Sequence, residues 1–201
     1  MSSNFLSRVY REQTPEQVRS LYDDWAASYE SEISENGYAT PGRCAQALLE
    51  AGADTGAPVL DFGCGTGLSG LALKLAGFAV IDGLDLSEGM LAKARTKSVY
   101  RTLAAIGPED PIPAGYAAIA AVGVVSPGAA PLPVLDRLIA ALDRGGRIVF
   151  SFNDHALEHE GFRTKVDDLL AEGHVRELIR DHGPHLPGID LKSTVYVLEK
   201  T

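Results

Sequence analysis

The residues most suggestive of chemistry lie in segment 59–70, V-L-D-F-G-C-G-T-G-L-S-G, where an acid precedes closely spaced glycines. Glycine tolerates positive φ and has no side chain, so a loop of this composition lets a ligand approach the backbone. Read from Gly65, the segment fits the dinucleotide pattern G-x-G-x-x-G. Read from Asp61, it is D-x-G-x-G-x-G, a loop for a different cofactor. The glycines alone therefore leave the ligand open.

A second acid, Asp85, stands at the end of the next apolar run, about 20 residues beyond the loop, as in a β-α-β nucleotide site. An acid at this strand end can accept hydrogen bonds from both ribose hydroxyls of an adenosine. The same acid also fits as an ordinary helix-flanking carboxylate before the N-cap candidate Ser87. The glycine loop and Asp85 together point to an adenosine cofactor more specifically than either does alone.

Asp61 distinguishes between the candidate cofactors. A carboxylate immediately before the glycines would repel the pyrophosphate of a dinucleotide. S-adenosylmethionine instead carries an ammonium and a sulfonium, a carboxylate that suits the N-terminus of the helix after Gly67, and a ribose for Asp85. The pattern therefore favours S-adenosylmethionine. Gly70, which completes the dinucleotide pattern, then only eases the packing of that helix on the strand.

Apolar periodicity predicts the elements that position these acids. From residue 58 onward, short apolar runs alternate with helical stripes, which is typical of an α/β protein with a mostly parallel sheet and helices on both faces. Ligands bind such sheets at the carboxyl ends of the strands. The strands are expected at 59–62, 78–84, 100–103, 116–125, 147–152, 175–179 and 194–199.

An N-terminal helical extension precedes the sheet. The sequence T-P-E-Q at 14–17 predicts a helix start with a threonine N-cap, a proline in the first turn and a capping box. One face of this helix is expected to carry Val18, Leu21, Tyr22, Trp25 and Tyr29. We divide the chain into an extension or lid at 1–55 and a Rossmann-like domain at 56–201, which form one structural unit.

Composition limits the classes of partner. The 201 residues carry a net charge of −9, which argues against nucleic acid because phosphate binding needs a basic face. Cys44 and Cys64 lack metal-type spacing and read as free thiols of a reducing compartment. The chain shows neither a signal-peptide run nor an apolar stretch of membrane-spanning length. These features predict a cytoplasmic protein without a nucleic-acid or membrane partner; oligomeric state stays open.

At this point the chain resembles a known family. V-L-D-F-G-C-G-T-G at 59–67, followed by G-L-D-L-S-E-G-M-L at 83–91, resembles the first two motifs of class I S-adenosylmethionine-dependent methyltransferases. Segment 142–150 resembles the part of that family that leads into the fifth strand. Segment 22–30 resembles the N-terminal helix that many members place over the cofactor. The resemblance is to the small-molecule type, near the Williams–Beuren-region methyltransferase-like group. It implies a doubly wound, mostly parallel seven-stranded sheet with an antiparallel last strand.

The resemblance also implies an activity and a cofactor site. The activity is methyl transfer from S-adenosylmethionine to a small-molecule acceptor, with S-adenosylhomocysteine as product. The implied cofactor-binding set is Gly63, Gly65 and Gly67 beside the methionine portion, Asp61 at its ammonium, Asp85 at the ribose, Leu86 and Met90 beside the adenine, Gly123 near the methyl, and Tyr22, Trp25 and Tyr29 above the site. An aromatic stripe on a helix is equally typical of core packing.

Departures from the family leave the catalytic residue unassigned. Segment 104–110, A-A-I-G-P-E-D, lacks the usual adenine-contacting acid near Gly107, so a backbone group or Asp110 is expected to take that role. In addition, Ala117 stands where the fourth strand of family members often begins with an acid. Beyond the fifth strand, the candidate bases are His155, His159 and Asn153 with Asp154. A metal at the two histidines lacks a fourth ligand.

Two other functions remain open, and so does the acceptor. One alternative is a non-catalytic S-adenosylmethionine-binding sensor or partner protein, and the other is an NAD(P)-dependent oxidoreductase. The acceptor is expected to be bound by the N-terminal helices and by loops at 153–165 and 180–190, and no residue there indicates its chemistry.

Overall fold

Seven strands form one sheet in the computed structural model, which describes residues 14–201. In chain order they are β1 Val59–Phe62, β2 Ile81–Asp85, β3 Thr102–Ala105, β4 Ala118–Ala121, β5 Arg147–Asn153, β6 Val175–Leu186 and β7 Leu191–Lys200. The spatial order is β3-β2-β1-β4-β5-β7-β6. Strands β1 to β5 are parallel, and β7 is antiparallel to both β5 and β6. The expected mostly parallel seven-stranded sheet with an antiparallel last strand is confirmed.

Helices cover both faces of this sheet. Side chains alternate along each strand, so Leu60 belongs to one apolar core and its neighbour Val59 to the other. The Leu60 core includes side chains of α6 and α8, and the Val59 core includes side chains of α3 and α4. The helices are α1 Pro15–Trp25, α2 Tyr29–Glu35, α3 Thr40–Glu50, α4 Leu68–Leu75, α5 Glu88–Thr96, α6 Val134–Ala141, α7 Asp154–Leu157 and α8 Glu160–Ala171.

Three of the parallel strands differ from their expected bounds. The strand expected at 78–84 begins at Ile81, and the one expected at 100–103 begins at Thr102. The strand expected at 116–125 spans only Ala118–Ala121. Gly123, with φ +68°, turns the chain soon after β4 and so shortens it. Apolar residues beside a strand, such as Val124, resemble strand residues in a hydropathy pattern although they lie in loops.

The expected loop at 180–190 is mostly strand. β6 continues from Val175 to Leu186 and pairs with β7 along its length, with irregularities between Glu177 and Ile179 and between Pro184 and Leu186. β6 is the outer strand of the sheet, so Pro184 is tolerated where a central strand would lose a ladder hydrogen bond. The expected loop conformation across 180–190 is therefore wrong for 180–186, while the expected contact of this segment with the acceptor stays a prediction.

Residues 15–35 form two helices instead of the one continuous helix that the sequence predicted. The capping box at Thr14 is present, with Gln17 as its partner, so the predicted start is confirmed. The helix ends at Trp25, however, and α2 begins at Tyr29 after a short turn. Helix α3 packs against the sheet, where Leu48 is fully buried. No helix within residues 14–201 combines the length and apolarity required to cross a membrane.

Candidate active site

The glycine loop between β1 and α4 depends on left-handed backbone at Gly63, Gly65 and Gly67, with φ values of +69°, +54° and +91°. A Cβ at Gly63 would lie 2.4 Å from Cγ2 of Val124, so the loop passes close beneath the segment that follows β4. A Cβ at Gly65 would have no atom within 4 Å. The loop therefore offers open space beside its exposed backbone at Gly65, which is the geometry that a close-lying ligand requires.

Asp61 carries an unsatisfied oxygen beneath this loop. Its side chain is fully buried, and its Oδ2 accepts hydrogen bonds of 2.7 Å from Ser69 Oγ and Tyr100 Oη. Its Oδ1 accepts no hydrogen bond from any group within residues 14–201. Burial raises the pKa of this carboxyl, and the hydrogen bonds from Ser69 and Tyr100 lower it. Burial has the larger effect, so the pKa rises to about 6. The arrangement fits a cationic ligand that supplies a donor to Oδ1.

Tyr100 explains the glycine that had suggested a dinucleotide site. Its hydroxyl donates to Asp61 and accepts a hydrogen bond of 3.2 Å from the Gly70 N–H. A Cβ at Gly70 would lie 2.3 Å from both Oη and Cζ of Tyr100, and one at Gly83 would lie 2.9 Å from Cε1. Gly70 therefore makes room for the tyrosine. Sequence reasoning missed Tyr100, because no local pattern links it to a loop 30 residues away.

Asp85 lies at the end of β2, next to the glycine loop. Its Oδ2 accepts a hydrogen bond of 2.7 Å from the Gly65 N–H, and its Oδ1 accepts one of 2.9 Å from the Ser87 N–H. Burial raises the pKa of this carboxyl above its ordinary value. Each oxygen keeps a lone pair for a further donor. Of the two expected adenine neighbours, Leu86 is half-buried and Met90 is buried.

Two neighbouring cavities share Tyr29 and Tyr38 as a common wall. The first is the loop cavity, lined by Tyr29, Tyr38, Pro41, Gly63, Cys64, Gly65, Thr66, Leu68, Ser69 and Val122. The second is the aromatic cavity, lined by Tyr22, Trp25, Tyr29, Ile33, Tyr38, Gly123, Ser126, Asn153, His185 and Leu186. The structure thus brings the three expected aromatic residues together with Gly123, and Gly63 and Gly65 line the loop cavity, while Asp61, Gly67, Asp85, Leu86 and Met90 line neither cavity.

Helices α1 and α2 are attached to α5, which follows Asp85. Oδ1 of Asp23 accepts hydrogen bonds from the Ser87 hydroxyl and from the Gly89 N–H, the latter at 3.0 Å. Glu30 forms an ion pair with Lys97 at the other end of α5. These contacts hold the aromatic side chains of the N-terminal helices over the sheet edge. Sequence reasoning missed Asp23, although an acid on the predicted covering helix was a usable signal.

The histidines are placed differently from what the sequence suggested. His155 and His159 are exposed, whereas Asn153 lines the aromatic cavity. The buried histidine of that cavity is His185, whose Nδ1 lies 2.7 Å from Thr40 Oγ1. Burial, with a smaller contribution from Arg43, lowers the pKa of His185 to about 4, so its ring is neutral at neutral pH. Within the described residues, no three histidine, cysteine or acidic side chains form a metal-binding group.

Sequence similarity to known methyltransferases covers the segment that contains the candidate site. Residues 59–111, which include the glycine loop and Asp85, match the family model described as methyltransferase domain. Human methyltransferase-like protein 27 is 34% identical over 124 residues, which cover 59% of this chain and 51% of the relative. The chain therefore spans about half the length of the curated relative that it matches.

Solved structures share the fold at low sequence identity. SpnF, a (4+2)-cyclase, superimposes with a TM-score of 0.70 and 14% identity, over 94% of this chain and 98% of that protein. Magnesium protoporphyrin IX methyltransferase ChlM from Synechocystis PCC 6803 was solved with bound SAM. It superimposes with a TM-score of 0.61 and 19% sequence identity, over 100% of this chain and 92% of that protein. The chain has the fold of class I S-adenosylmethionine-dependent methyltransferases.

Proposed function

We propose that this protein transfers a methyl group from S-adenosylmethionine to a small-molecule acceptor and releases S-adenosylhomocysteine. The observation that carries the proposal is Oδ1 of Asp61, which is fully buried, has no hydrogen-bond partner within residues 14–201 and belongs to a carboxyl hydrogen-bonded to Ser69 in the wall of the loop cavity. A buried acceptor left without a donor costs about 1–3 kcal/mol, and more when it is charged. The ammonium of the methionine portion supplies that donor and a compensating charge.

The remaining residues fit the other parts of the cofactor. Backbone N–H groups at the start of α4, beyond Gly67, suit the methionine carboxylate. Asp85 is held at the sheet edge by Gly65 and Ser87 with lone pairs left for ribose hydroxyls. Half-buried Leu86 offers more surface to an adenine than the buried Met90 does. Each of these roles is a proposal that ligand binding can test.

The work left to this chain is mainly alignment. Bound S-adenosylmethionine supplies a methyl group on a positively charged sulfur, which is already a good leaving group. The protein residues bind and orient the two reactants, which converts a bimolecular reaction into an effectively unimolecular one. Tyr22, Trp25 and Tyr29 exclude water from above, while Gly123 brings backbone close to the boundary between the two cavities.

A small-molecule acceptor fits the character of the aromatic cavity, whose walls are largely aromatic and aliphatic with a few polar side chains. The net charge of −9 disfavours RNA as the acceptor, since RNA binding depends on basic surface. A cytoplasmic location, the absence of a membrane partner and the division at residues 55 and 56 stay predictions of the sequence.

A second candidate is a protein that binds S-adenosylmethionine without transferring its methyl group. The specific observation in its favour is the missing acid at the approach to β4, where Ala117 stands. The dinucleotide-dependent oxidoreductase is disfavoured, because Gly70 accommodates Tyr100 and the buried Asp61 would face a pyrophosphate. Turnover on a panel of small acceptors, followed by release of S-adenosylhomocysteine, separates the enzyme from the binding protein.

Calorimetric titration tests the cofactor assignment. We expect S-adenosylmethionine and S-adenosylhomocysteine to bind and NADH not to bind. Asp85→Ala should weaken binding by about 1–3 kcal/mol, because the ribose hydroxyls lose their acceptor. Asp54→Ala is the matched control, since Asp54 also accepts a backbone N–H bond, from Gly56 at 2.8 Å, but in another loop. Binding of NADH alone would contradict the proposal, and unchanged affinity in Asp85→Ala would contradict the ribose assignment.

A further inference from the structure

A chain of buried polar groups supports His185 from behind. Its Nδ1 lies 2.7 Å from Thr40 Oγ1, which lies 3.1 Å from Ser193 Oγ. Arg43 Nη1 donates to Ser193 Oγ at 3.1 Å, and Arg43 Nη2 donates to Asp181 Oδ2 at 2.7 Å. Thr40 and Ser193 are fully buried. The ring of His185 is therefore held by hydrogen bonds that originate on β7, which follows it closely in sequence, and on α3, where Thr40 lies 145 positions away.

These contacts fix which ring nitrogen is available. Nδ1 is engaged by Thr40, whereas Nε2 has no protein partner within residues 14–201. The ring of Tyr38 meets the imidazole edge-on, with centroids 5.2 Å apart and an interplanar angle of 82°. The His185 carbonyl also accepts the Ala39 N–H at 3.0 Å. Since His185 lines the aromatic cavity, Nε2 is the ring nitrogen that it can offer to a ligand there.

Among residues 14–201, those that line the aromatic cavity carry no formal charge. Its walls are aromatic and aliphatic, and its polar side chains include Ser126, Asn153 and the neutral His185. Two charged groups that act on His185 have partners of their own: Arg43 pairs with Asp181, and Asp154 lies 2.9 Å from His182. Burying a charged acceptor here would cost free energy without a counter-charge to repay it. Aromatic walls favour a flat apolar body.

We propose that the aromatic cavity binds an uncharged aromatic acceptor by its hydroxyl group, and that Nε2 of His185 takes the hydroxyl proton during methyl transfer. The proposal rests on the methyltransferase function proposed above. The acceptor oxygen forms a bond to the methyl carbon while the carbon–sulfur bond breaks and leaves its electron pair on sulfur. The electron pair of the O–H bond stays on oxygen, and the proton moves to Nε2.

A weakly basic imidazole is sufficient for this step. A hydroxyl becomes strongly acidic as its oxygen gains the methyl group, so the proton transfers late and easily. The step requires the neutral tautomer with its proton on Nδ1, which donates to Thr40 Oγ1 before and after Nε2 gains the second proton. Burial, Arg43 and His155 all disfavour the charged form of the ring, whereas Asp154 favours it. The net effect lowers the pKa of His185 to about 4. The proton therefore passes readily to water once the product leaves.

Trp25 provides a test that needs neither cofactor nor turnover. It is the single tryptophan of the chain and lines the aromatic cavity, so its fluorescence reports occupancy. The probes are 4-ethylphenol, ethylbenzene and 4-ethylbenzoate, which share one body and differ in the polar group. We expect 4-ethylphenol to bind about tenfold more tightly than the other two, as one added hydrogen bond predicts. Absent binding of 4-ethylphenol, or equal binding of 4-ethylbenzoate, would overturn the proposal.

Variants assign the preference to Nε2. Asn at position 185 places an amide where Nδ1 lies, so His185→Asn can keep the Thr40 bond while it removes Nε2. This variant should lose the tenfold preference for 4-ethylphenol over ethylbenzene, whereas His155→Asn, at an exposed histidine outside the cavity, should keep it. A preference that survives in a folded His185→Asn variant overturns the proposal.

Two further measurements keep the result decisive. If His185→Asn does not fold, the ¹⁵N resonance of His185 Nε2 in the wild-type protein should shift with 4-ethylphenol and not with ethylbenzene; equal shifts refute the assignment. Calorimetry with S-adenosylhomocysteine on the wild-type protein separates the two proposals. Absent binding contradicts the methyltransferase function itself. Binding of S-adenosylhomocysteine without any preference for the phenol contradicts only the role of His185.

Discussion

Replacement of Asp61 by asparagine should stabilise the ligand-free protein and weaken its cofactor binding. The substitution removes a negative charge that is fully buried and has one oxygen without a donor. It preserves the size of the side chain and an oxygen that can accept the bonds from Ser69 and Tyr100. Stability and affinity should therefore change in opposite directions, as expected of a residue whose charge serves a ligand.

The magnitude follows from the pKa of Asp61, about 6 in the folded protein against an ordinary value of 3.8. At about 1.4 kcal/mol for each unit, the ionised carboxylate costs roughly 3 kcal/mol of folding free energy above pH 6. The asparagine amide places an N–H group where Oδ1 lies, which costs on the order of 1–2 kcal/mol if it stays unpaired. We expect Asp61→Asn to raise the free energy of unfolding by about 1–2 kcal/mol at neutral pH.

The pH dependence gives the sharper test. Between about pH 4 and pH 6 the folded protein binds more protons at Asp61 than the unfolded chain, so this carboxyl makes stability fall as pH rises through that window. The variant lacks this loss. Urea unfolding of both proteins should therefore show an advantage of Asp61→Asn that grows by about 3 kcal/mol from pH 4 to pH 7.

Asp82 is the matched control. It is also buried, but hydrogen bonds from Arg101, Thr102 and Tyr116 lower the pKa of its carboxyl to about 2. Asp82→Asn should lose about 1–2 kcal/mol of stability at neutral pH, a figure reduced because Arg101 is half-exposed. This loss should vanish as pH falls through the range from about 4 to about 2. At neutral pH the two asparagine substitutions should thus change the free energy of unfolding in opposite directions.

Two outcomes would refute the reasoning on Asp61. If the variant is less stable than the wild type at every pH, with a constant difference, Oδ1 is satisfied and the burial cost does not exist. In calorimetry, a folded Asp61→Asn variant should bind S-adenosylmethionine more weakly by about 2 kcal/mol or more, because an ammonium loses its buried partner. Unchanged affinity would contradict the proposal that Asp61 binds the ammonium of S-adenosylmethionine.

Three further changes test the packing around the site. Gly70→Ala should lower the free energy of unfolding by about 1–3 kcal/mol, because its Cβ would lie 2.3 Å from the hydroxyl of Tyr100. Gly42 lies in α3, and a Cβ added there would have no atom within 4 Å, so Gly42→Ala should raise the free energy of unfolding by about 0.5–1 kcal/mol. Equal effects of the two alanine variants in urea unfolding would contradict this account. Asp23→Ala should raise amide hydrogen exchange in α1 without changing it in β1, and unchanged exchange in α1 would show that α5 does not hold this helix. His185→Asn should remove a loss of stability as pH falls from about 6.5 to about 4, since the folded protein keeps this ring neutral in that window and the unfolded chain protonates it.

Local sequence signals predicted the elements nearest to the site. The bounds of β1 agree because an apolar run ends abruptly at glycine, and the helix start at Thr14 agrees because a capping box needs only four consecutive residues. Asp85 was expected at a strand end and terminates β2. These features depend on neighbours along the chain, whose preferences act before any tertiary contact forms.

Signals of the same kind failed where a distant neighbour decides the conformation. Pro184 predicted a loop, yet it lies in β6 because that strand occupies the sheet edge, where one side needs no ladder bonds. The helix expected to run through Tyr29 ends at Trp25, and the two rings still meet with centroids 4.7 Å apart. An apolar stripe records which side chains are buried and does not record whether the backbone between them is continuous.

The sequence by itself determined the α/β fold, the glycine loop and the two acids at neighbouring strand ends, because spacing and residue type suffice for these. Only the tertiary structure decided that Gly70 accommodates Tyr100 and that His185 is paired with Thr40, 145 positions away. The physical reason is that burial and hydrogen bonding depend on contacts between elements. Such contacts convert an ordinary histidine on an edge strand into a neutral, oriented ring beside the aromatic cavity.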